Sequence, residues 1–138
     1  MKWLFIFFTL LLSATPASAD DAICPGGSIA GDWTNVRQEL NVLSRIEIVP
    51  TCDENSPFGA WKVRAHEKCL PRDCSWGWVQ GAFDDRGHFW VKFETFSAVR
   101  TMSLNPQSLR MRADVKINYR LDGKEDIEAS YILVKTAK

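Results

Sequence analysis

Residues 109–119 read Leu109-Arg110-Met111-Arg112-Ala113-Asp114-Val115-Lys116-Ile117-Asn118-Tyr119. Apolar or aromatic side chains occupy every second position, and charged or polar side chains occupy the positions between them. A strand places successive side chains on opposite faces of a sheet, so this alternation predicts a strand with one face on a core and one in water. The core face is predicted to contain Leu109, Met111, Ala113, Val115, Ile117 and Tyr119.

Shorter runs with the same period of two lie along the rest of the chain, for example at 45–48, 61–66 and 89–94. Turn-forming clusters separate them, among them Asp85-Arg86-Gly87, Asn105-Pro106 and Asp122-Gly123. The pattern predicts about eight strands, near 31–36, 44–51, 60–68, 76–84, 88–96, 99–104, 109–120 and 126–136, with room for a helical turn within 36–44. We therefore predict an all-β fold, a single antiparallel up-and-down β-barrel; a two-sheet sandwich is the alternative.

The N-terminus has the three parts of a secretory signal peptide. Lys2 follows the start, an apolar run covers residues 3–12, and Ala17-Ser18-Ala19 supplies a small-residue cleavage pattern. The apolar run is shorter than the roughly 20 residues that span a bilayer, so no membrane span is expected. We expect residues 1–19 to be removed and residues 20–138 to form one exported β-barrel domain, periplasmic or extracellular.

All four cysteines lie beyond the predicted signal: Cys24, Cys52, Cys69 and Cys74. An even number of cysteines in an oxidising compartment indicates two disulfides, for which three pairings exist. We favour Cys69–Cys74 and Cys24–Cys52. A zinc site with His66 and His88 is the alternative, but zinc ligands usually come in tight C-x2–4-C pairs, and only one loose pair of this kind is present. We expect neither a metal nor a cofactor.

The charges are balanced, with 17 basic and 17 acidic side chains. This balance argues against nucleic acid as a partner, because nucleic-acid binders carry a clear basic excess. Basic side chains nevertheless line the water face of the long strand, and Arg100 is predicted on the neighbouring strand. We expect this stripe to pair with acidic residues of the last strand, and an anionic partner is the alternative. The stripe comprises Arg110, Arg112, Lys116 and Arg120, and the acidic residues are Glu125, Asp126 and Glu128.

The segment Gly31-Asp32-Trp33-Thr34-Asn35 resembles the opening strand of the avidin and lipocalin-like (calycin) barrels. The resemblance implies that Trp33 closes the barrel floor and that Asn35 corresponds to a pocket position. Avidins also line their pocket with tryptophans from later strands, whereas this chain has none after Trp90. Biotin is therefore not the expected ligand.

A second segment, Lys68-Cys69-Leu70-Pro71-Arg72-Asp73-Cys74-Ser75-Trp76-Gly77, resembles the K-C-x-P-x-D-C-x-W-G signature of small exported bacterial proteins of unknown function. Those proteins share an early G-x-W and an R-I-x-I strand, found here at 45–48. The resemblance covers most of residues 31–136. It implies the barrel fold and a location in the bacterial envelope, and it implies no activity.

The tryptophans are the main candidates for a binding site. Trp33, Trp61 and Trp78 are predicted to line an aromatic pocket, with Asn35 and Tyr119 as polar contacts. The alternative is that the tryptophans only pack the barrel ends. The leading hypothesis is accordingly a non-enzymatic exported protein that binds a small or apolar ligand inside the barrel.

Catalysis is not indicated by any motif in the sequence. His66 and Glu67 are adjacent, but neighbours on a regular strand point to opposite faces and cannot cooperate as an acid–base pair. The second hypothesis is a protein-interaction module, such as an inhibitor of an external hydrolase. Its contact surface would be the loop closed by Cys69 and Cys74, with Leu70, Pro71, Arg72 and Trp76. Trp90 is predicted to point outward.

Overall fold

The structure is a computed structural model that describes residues 27–53 and 55–137. Within these residues the chain forms eight strands and no helix. They are β1 (Gly31–Asn35), β2 (Leu43–Pro50), β3 (Trp61–Glu67), β4 (Cys74–Phe83), β5 (Phe89–Glu94), β6 (Ala98–Gln107), β7 (Arg110–Tyr119) and β8 (Ile127–Lys135). Each strand pairs antiparallel with the next, and β8 pairs with β1. The predicted closed up-and-down barrel is confirmed.

Three local predictions are wrong. Residues 36–42 form an irregular loop with Asn41 at φ 60° in place of a helical turn, and strand β2 begins at Leu43. Strand β6 continues through Pro106, which pairs with Met111, and the turn follows at Ser108. Proline is tolerated there because it lies one residue before the strand ends and interrupts little of the ladder. Leu109 lies in that turn and is 69% exposed, so it does not belong to the core face.

One end of the barrel, which we call the floor, is packed solid. It lies where β2 and β4 end and where β3 and β5 begin. Trp33 is fully buried there, and its Nε1 donates a hydrogen bond to the carbonyl oxygen of Ile29 at 2.8 Å. At the same end, Trp61, Phe83 and Phe89 pack edge to face on one another, with ring centroids 4.9–6.1 Å apart. Such aromatic pairs add stability beyond the area that they bury.

The floor also depends on a glycine. A Cβ atom at Gly81 would collide with the Phe89 ring and would lie 2.8 Å from Cγ2 of Val63. Real Cβ atoms do not approach other carbons so closely, so any side chain at Gly81 would force the core apart. The absence of a side chain at this position lets the rings of the floor close up.

A bulge interrupts the pairing of β3 with β4. Arg64 pairs with Trp78 and His66 pairs with Ser75, so two residues of β4, Trp76 and Gly77, stand opposite one residue of β3. Gly77 has φ 85°, a conformation that glycine adopts without strain. The extra residue reverses the alternation, and Trp76 consequently points into the barrel while Trp78 points out.

Strand β4 pairs with β5 only from Gly81 to Phe83. Beyond these residues the two strands separate, and the ring of Trp76 packs against Phe93 with centroids 5.5 Å apart. Side-chain packing therefore replaces backbone pairing along this part of the wall.

The Cys69–Cys74 disulfide is formed, as predicted. Cys24 and the predicted signal at residues 1–19 lie outside the described residues, so the Cys24–Cys52 pairing stays a prediction. Among the described residues, no helix is long and apolar enough to cross a membrane.

Candidate ligand-binding cavity

The end of the barrel opposite the floor, which we call the mouth, is hollow. It contains a cavity of about 490 Å³ between the strands and the loops that follow β1 and β7. Most of its wall residues are apolar or aromatic, as in many small-molecule sites, and Asn41, Glu67 and Lys124 add polar groups. The apolar and aromatic wall residues include Leu43, Trp76, Ile117, Tyr119, Ile127 and Tyr131.

The alternation of β7 and β8 positions one side of this cavity. Val115, Ile117 and Tyr119 follow Met111 and Ala113 on the inward face, as the sequence predicted. On β8, Ala129 stands opposite Val115 and Ile127 opposite Ile117. These side chains are too small to fill the end of an eight-stranded barrel, whereas the rings of the floor do fill theirs.

Both tyrosines of the chain line the cavity. Burial raises the pKa of Tyr131 above its ordinary value. The Nζ atom of Lys124 lies 4.0 Å from the centroid of the Tyr119 ring, a cation–π contact at the rim. The tyrosines thus give the mouth aromatic faces together with two hydroxyl groups.

Trp76 stands between the mouth cavity and a second hollow. Its Nε1 donates a hydrogen bond to Oε2 of Glu67 at 3.1 Å, which fixes the orientation of the ring. The second hollow, which we call the side cleft, has a volume of about 350 Å³ and also contacts Glu67 and Trp76. It lies between the disulfide loop and the β5–β6 loop, and its other walls include Cys69, Thr95, Phe96, Ser97 and Arg100.

Of the five residues predicted to bind a ligand, only Tyr119 lines the cavity. Trp33 and Trp61 belong to the packed floor, with 0% and 5% exposure. Asn35 is buried, but both ends of its amide hold the β1–β2 loop. Its Nδ2 donates to the carbonyl oxygen of Leu43 at 2.6 Å, and its Oδ1 accepts from the backbone N–H of Arg37 at 3.0 Å.

Trp78 lies on the outer face of the barrel. Lys62 and Arg64 stack over its ring, at 4.4 and 4.5 Å from the centroid. The bulge at Gly77 is the reason, since without it Trp76 and Trp78 would share a face. The bulge therefore exchanges the roles that the sequence assigned to these two tryptophans, and Trp76 becomes a cavity residue rather than part of an exposed loop.

An ion cluster lies on the same outer face. Glu47 accepts hydrogen bonds from Nε of Arg64 and, at 3.1 Å, from Nε2 of His66. The bond from Arg64 lowers the pKa of Glu47 to about 2, against burial, which raises it. His66 is itself buried. His66 and Glu67 do lie on opposite faces, as predicted, because Glu67 borders the mouth cavity.

The disulfide loop is anchored at the mouth. Oγ of Ser44 donates to Oδ2 of Asp73 at 2.6 Å, and Nζ of Lys68 lies 3.4 Å from Oδ1 of the same residue. The bond from Ser44 is the main cause of a lowered pKa at Asp73. Leu70 is 75% exposed, and its neighbours Pro71 and Arg72 are exposed as well.

Trp90 points outward, as predicted, and its Nε1 donates to Oδ2 of Asp84 at 2.8 Å. It pairs with Ala82 near the floor, so it does not share a surface with the disulfide loop. Trp90 borders a shallow outer groove of about 490 Å³, whose other walls include charged and hydroxyl side chains such as Lys116 and Ser103.

The basic stripe is only partly as predicted. Lys116 pairs with Glu128 at 3.0 Å across the β7–β8 ladder, as expected. Arg120 pairs instead with Glu94 of β5. The placement of Arg100 on the outer face is wrong. It stands opposite Phe93 on one side and Ile117 on the other, and both of these residues point into the barrel.

The fold and the cavity together define a class, an eight-stranded up-and-down β-barrel that is solid at one end and hollow at the other. Comparisons with protein-family models, with curated proteins and with solved structures gave no match. Within residues 27–53 and 55–137 no cluster of three or more His, Cys, Asp or Glu side chains is arranged to hold a metal ion.

Proposed function

We propose that this chain is an exported, non-enzymatic protein that binds a small, largely apolar ligand in the mouth cavity. The observation that carries the proposal is the contrast within one barrel interior. Trp33, Trp61 and Phe89 are buried at the floor, whereas the mouth leaves about 490 Å³ between side chains that are mostly apolar or aromatic, with Asn41, Glu67 and Lys124 among them. Pockets of this size and composition are the usual sites for small organic molecules.

The size of the cavity limits the ligand. Drug-sized ligands occupy pockets of roughly 300–1,000 Å³, so a molecule with one or two rings, or a short chain, suits the mouth. The rings of Trp76, Tyr119 and Tyr131 favour a ligand with a flat face that stacks on them. The predicted signal peptide and disulfides support a location in the periplasm or outside the cell.

The first test uses N-phenyl-1-naphthylamine, a neutral apolar dye that fluoresces when it leaves water. We expect saturable binding with one dye per chain. Ile117→Trp, which adds a ring to the cavity wall, is expected to weaken binding about tenfold or more because it fills the space. Lys92→Trp adds the same ring on the outer face of β5 and is expected to leave binding unchanged.

Native mass spectrometry of protein from an oxidising compartment complements the dye. An added small mass that is lost on denaturation would support the proposal and identify a natural ligand. Absence of dye binding, or equal binding by wild type and Ile117→Trp, would overturn the proposal. Equal binding would direct attention to the outer groove beside Trp90.

One specific feature favours a second candidate, an interaction module. The disulfide loop presents Leu70 to solvent while Ser44 and Lys68 hold its base through Asp73. An ordered loop binds a partner with little loss of conformational freedom. This candidate does not use the mouth cavity. A native mass equal to that of the chain alone, together with no dye binding, would therefore favour it.

A further inference from the structure

We propose that the ligand carries an acidic group, a carboxylate or a related oxyanion, which Arg100 binds in the side cleft. This inference rests on the ligand-binding function proposed above and adds the chemical class of the ligand. It comes from an arginine that points into the barrel without a partner.

Strand pairing determines the direction of Arg100. Residues that stand opposite each other in an antiparallel ladder share a face of the sheet. Arg100 stands opposite Phe93 and Ile117, and Met102, two residues further along β6, is fully buried in the core. Arg100 therefore belongs to the inward face, at the level where the packed interior gives way to the hollow mouth.

The Arg100 side chain is half-buried and forms part of the wall of the side cleft. Its Nε atom is buried and unpartnered, and within residues 27–53 and 55–137 no carboxylate lies within ion-pair distance of it. Its one specific contact is with the ring of Trp76, whose centroid lies 4.8 Å from Cζ. By contrast, Arg64, Arg112 and Arg120 pair with the carboxylates of Glu47, Asp114 and Glu94.

An inward-pointing charge without a counterion is costly, and proteins usually pair such groups with an opposite charge. The stacking on Trp76 contributes attraction but leaves the N–H donors of the guanidinium unused. The planar fork of an arginine matches the two oxygens of a carboxylate, or two oxygens of a sulfonate or phosphate. A ligand oxyanion would supply the missing partner.

Glu67 explains why the acidic group is expected on one particular side of the cleft. Its carboxylate accepts a hydrogen bond from the indole N–H of Trp76. This bond fixes the Trp76 ring, on which the guanidinium of Arg100 stacks. The same carboxylate would repel an anion near it. The opposite wall carries the hydroxyl group of Ser97, which can donate to an oxyanion, whereas the hydroxyl of Thr95 already donates to the carbonyl oxygen of Ala98 at 3.1 Å.

The two hollows are adjacent, since both contact Glu67 and Trp76. A ligand with an apolar body in the mouth and an acidic group in the cleft would pass beside the Trp76 ring. One ligand of this kind would account for two separate features, the unfilled cavity at the mouth and the missing counterion of Arg100.

The test compares two dyes with the same skeleton. N-phenyl-1-naphthylamine is neutral, and 1-anilinonaphthalene-8-sulfonate adds one sulfonate. Arg100→Gln is expected to weaken binding of the sulfonate dye on the order of ten- to a hundredfold, the usual effect of losing a charge-assisted hydrogen bond. Binding of the neutral dye should stay within about twofold. Arg110→Gln, on an exposed arginine of β7, should change neither dye.

Arg100→Lys serves as a second variant, because it keeps the charge and removes the fork. We expect it to lie between wild type and Arg100→Gln for the sulfonate dye, and near-ultraviolet circular dichroism checks that both variants stay folded. Unchanged sulfonate binding in Arg100→Gln, with the neutral dye still bound, would overturn this inference and leave the proposed function intact. If a folded Arg100→Gln variant binds neither dye, Arg100 maintains the shape of the cavity rather than binding an anion. That result would also overturn this inference. No binding of either dye to the wild type would overturn both proposals.

Discussion

The floor and the mouth are built from the same eight strands, yet their interiors differ. At the floor, Trp33, Trp61 and Phe89 are buried in one core cluster, and Gly81 gives the Phe89 ring room. At the mouth, Ile117 and Ile127 face a space that no side chain fills. Protein interiors are normally packed as densely as organic crystals, so an unfilled end has a stability cost that the packed end must offset. The comparison shows a barrel whose packing stabilises one end and leaves an unfilled space at the other.

The sharpest way to test this division is to remove one tryptophan from each end. Trp33→Ala deletes a fully buried ring and its hydrogen bond to Ile29, so it should lower the free energy of unfolding by about 3–5 kcal/mol. Trp76→Ala removes a half-buried ring beside existing empty space, and we expect about half that loss or less. Equilibrium urea denaturation measures both. Equal losses would mean that the two ends do not differ in packing.

A smaller effect is expected from adding one methyl group to the floor. Gly81→Ala places a Cβ atom against Phe89 and Val63, and overpacking of this kind costs about 1–3 kcal/mol. The free energy of unfolding measured in urea checks this value. Phe89→Leu in the same chain should recover part of the loss, because it removes the ring carbons that collide. A neutral Gly81→Ala would show that the floor is looser than the structure indicates.

The smallest effect concerns protonation at the mouth. Burial raises the pKa of Tyr131, so in a Tyr119→Phe variant the remaining tyrosine should titrate above its ordinary value of 10.0. The stability that the neutral hydroxyl contributes is fully present below that ordinary value. It falls as the pH rises from there through the raised pKa of the folded state.

Tyrosinate absorbance in the near ultraviolet measures this titration, and Tyr131→Phe is the control that should remove the shifted phase. Bound N-phenyl-1-naphthylamine should raise the pKa of Tyr131 further, because it displaces water from the ring. A titration at or below the ordinary value would mean that the mouth is open to solvent at Tyr131.

The period-two alternation was sufficient to predict the barrel. All eight strands lie within a few residues of their predicted positions, because alternation and turn chemistry are local properties of the sequence. The predicted inward residues Met111, Val115 and Ile117 are confirmed for the same reason. The site was harder to predict, since it depends on which way particular side chains point after irregular pairing.

Two residues illustrate that difficulty. A single bulge at Gly77 exchanged the faces of Trp76 and Trp78, and the adjacent Trp-Gly-Trp sequence gave only a weak sign of it. Arg100 was grouped with the basic stripe because it lies on the strand next to it. Counting back by two from Leu104 and Met102 would have placed it inside, so the signal was present in the alternation of its own strand.

The short pairing between β4 and β5 has a consequence for local opening of the barrel. These strands pair only from Gly81 to Phe83, whereas β6 and β7 pair along their whole lengths. Parting β4 from β5 on the side of the cleft would therefore break no backbone pairing and would leave the floor closed. Local opening at this seam and survival of the folded chain then depend on different parts of the barrel, so the rate of that opening can change in evolution without a change in global stability.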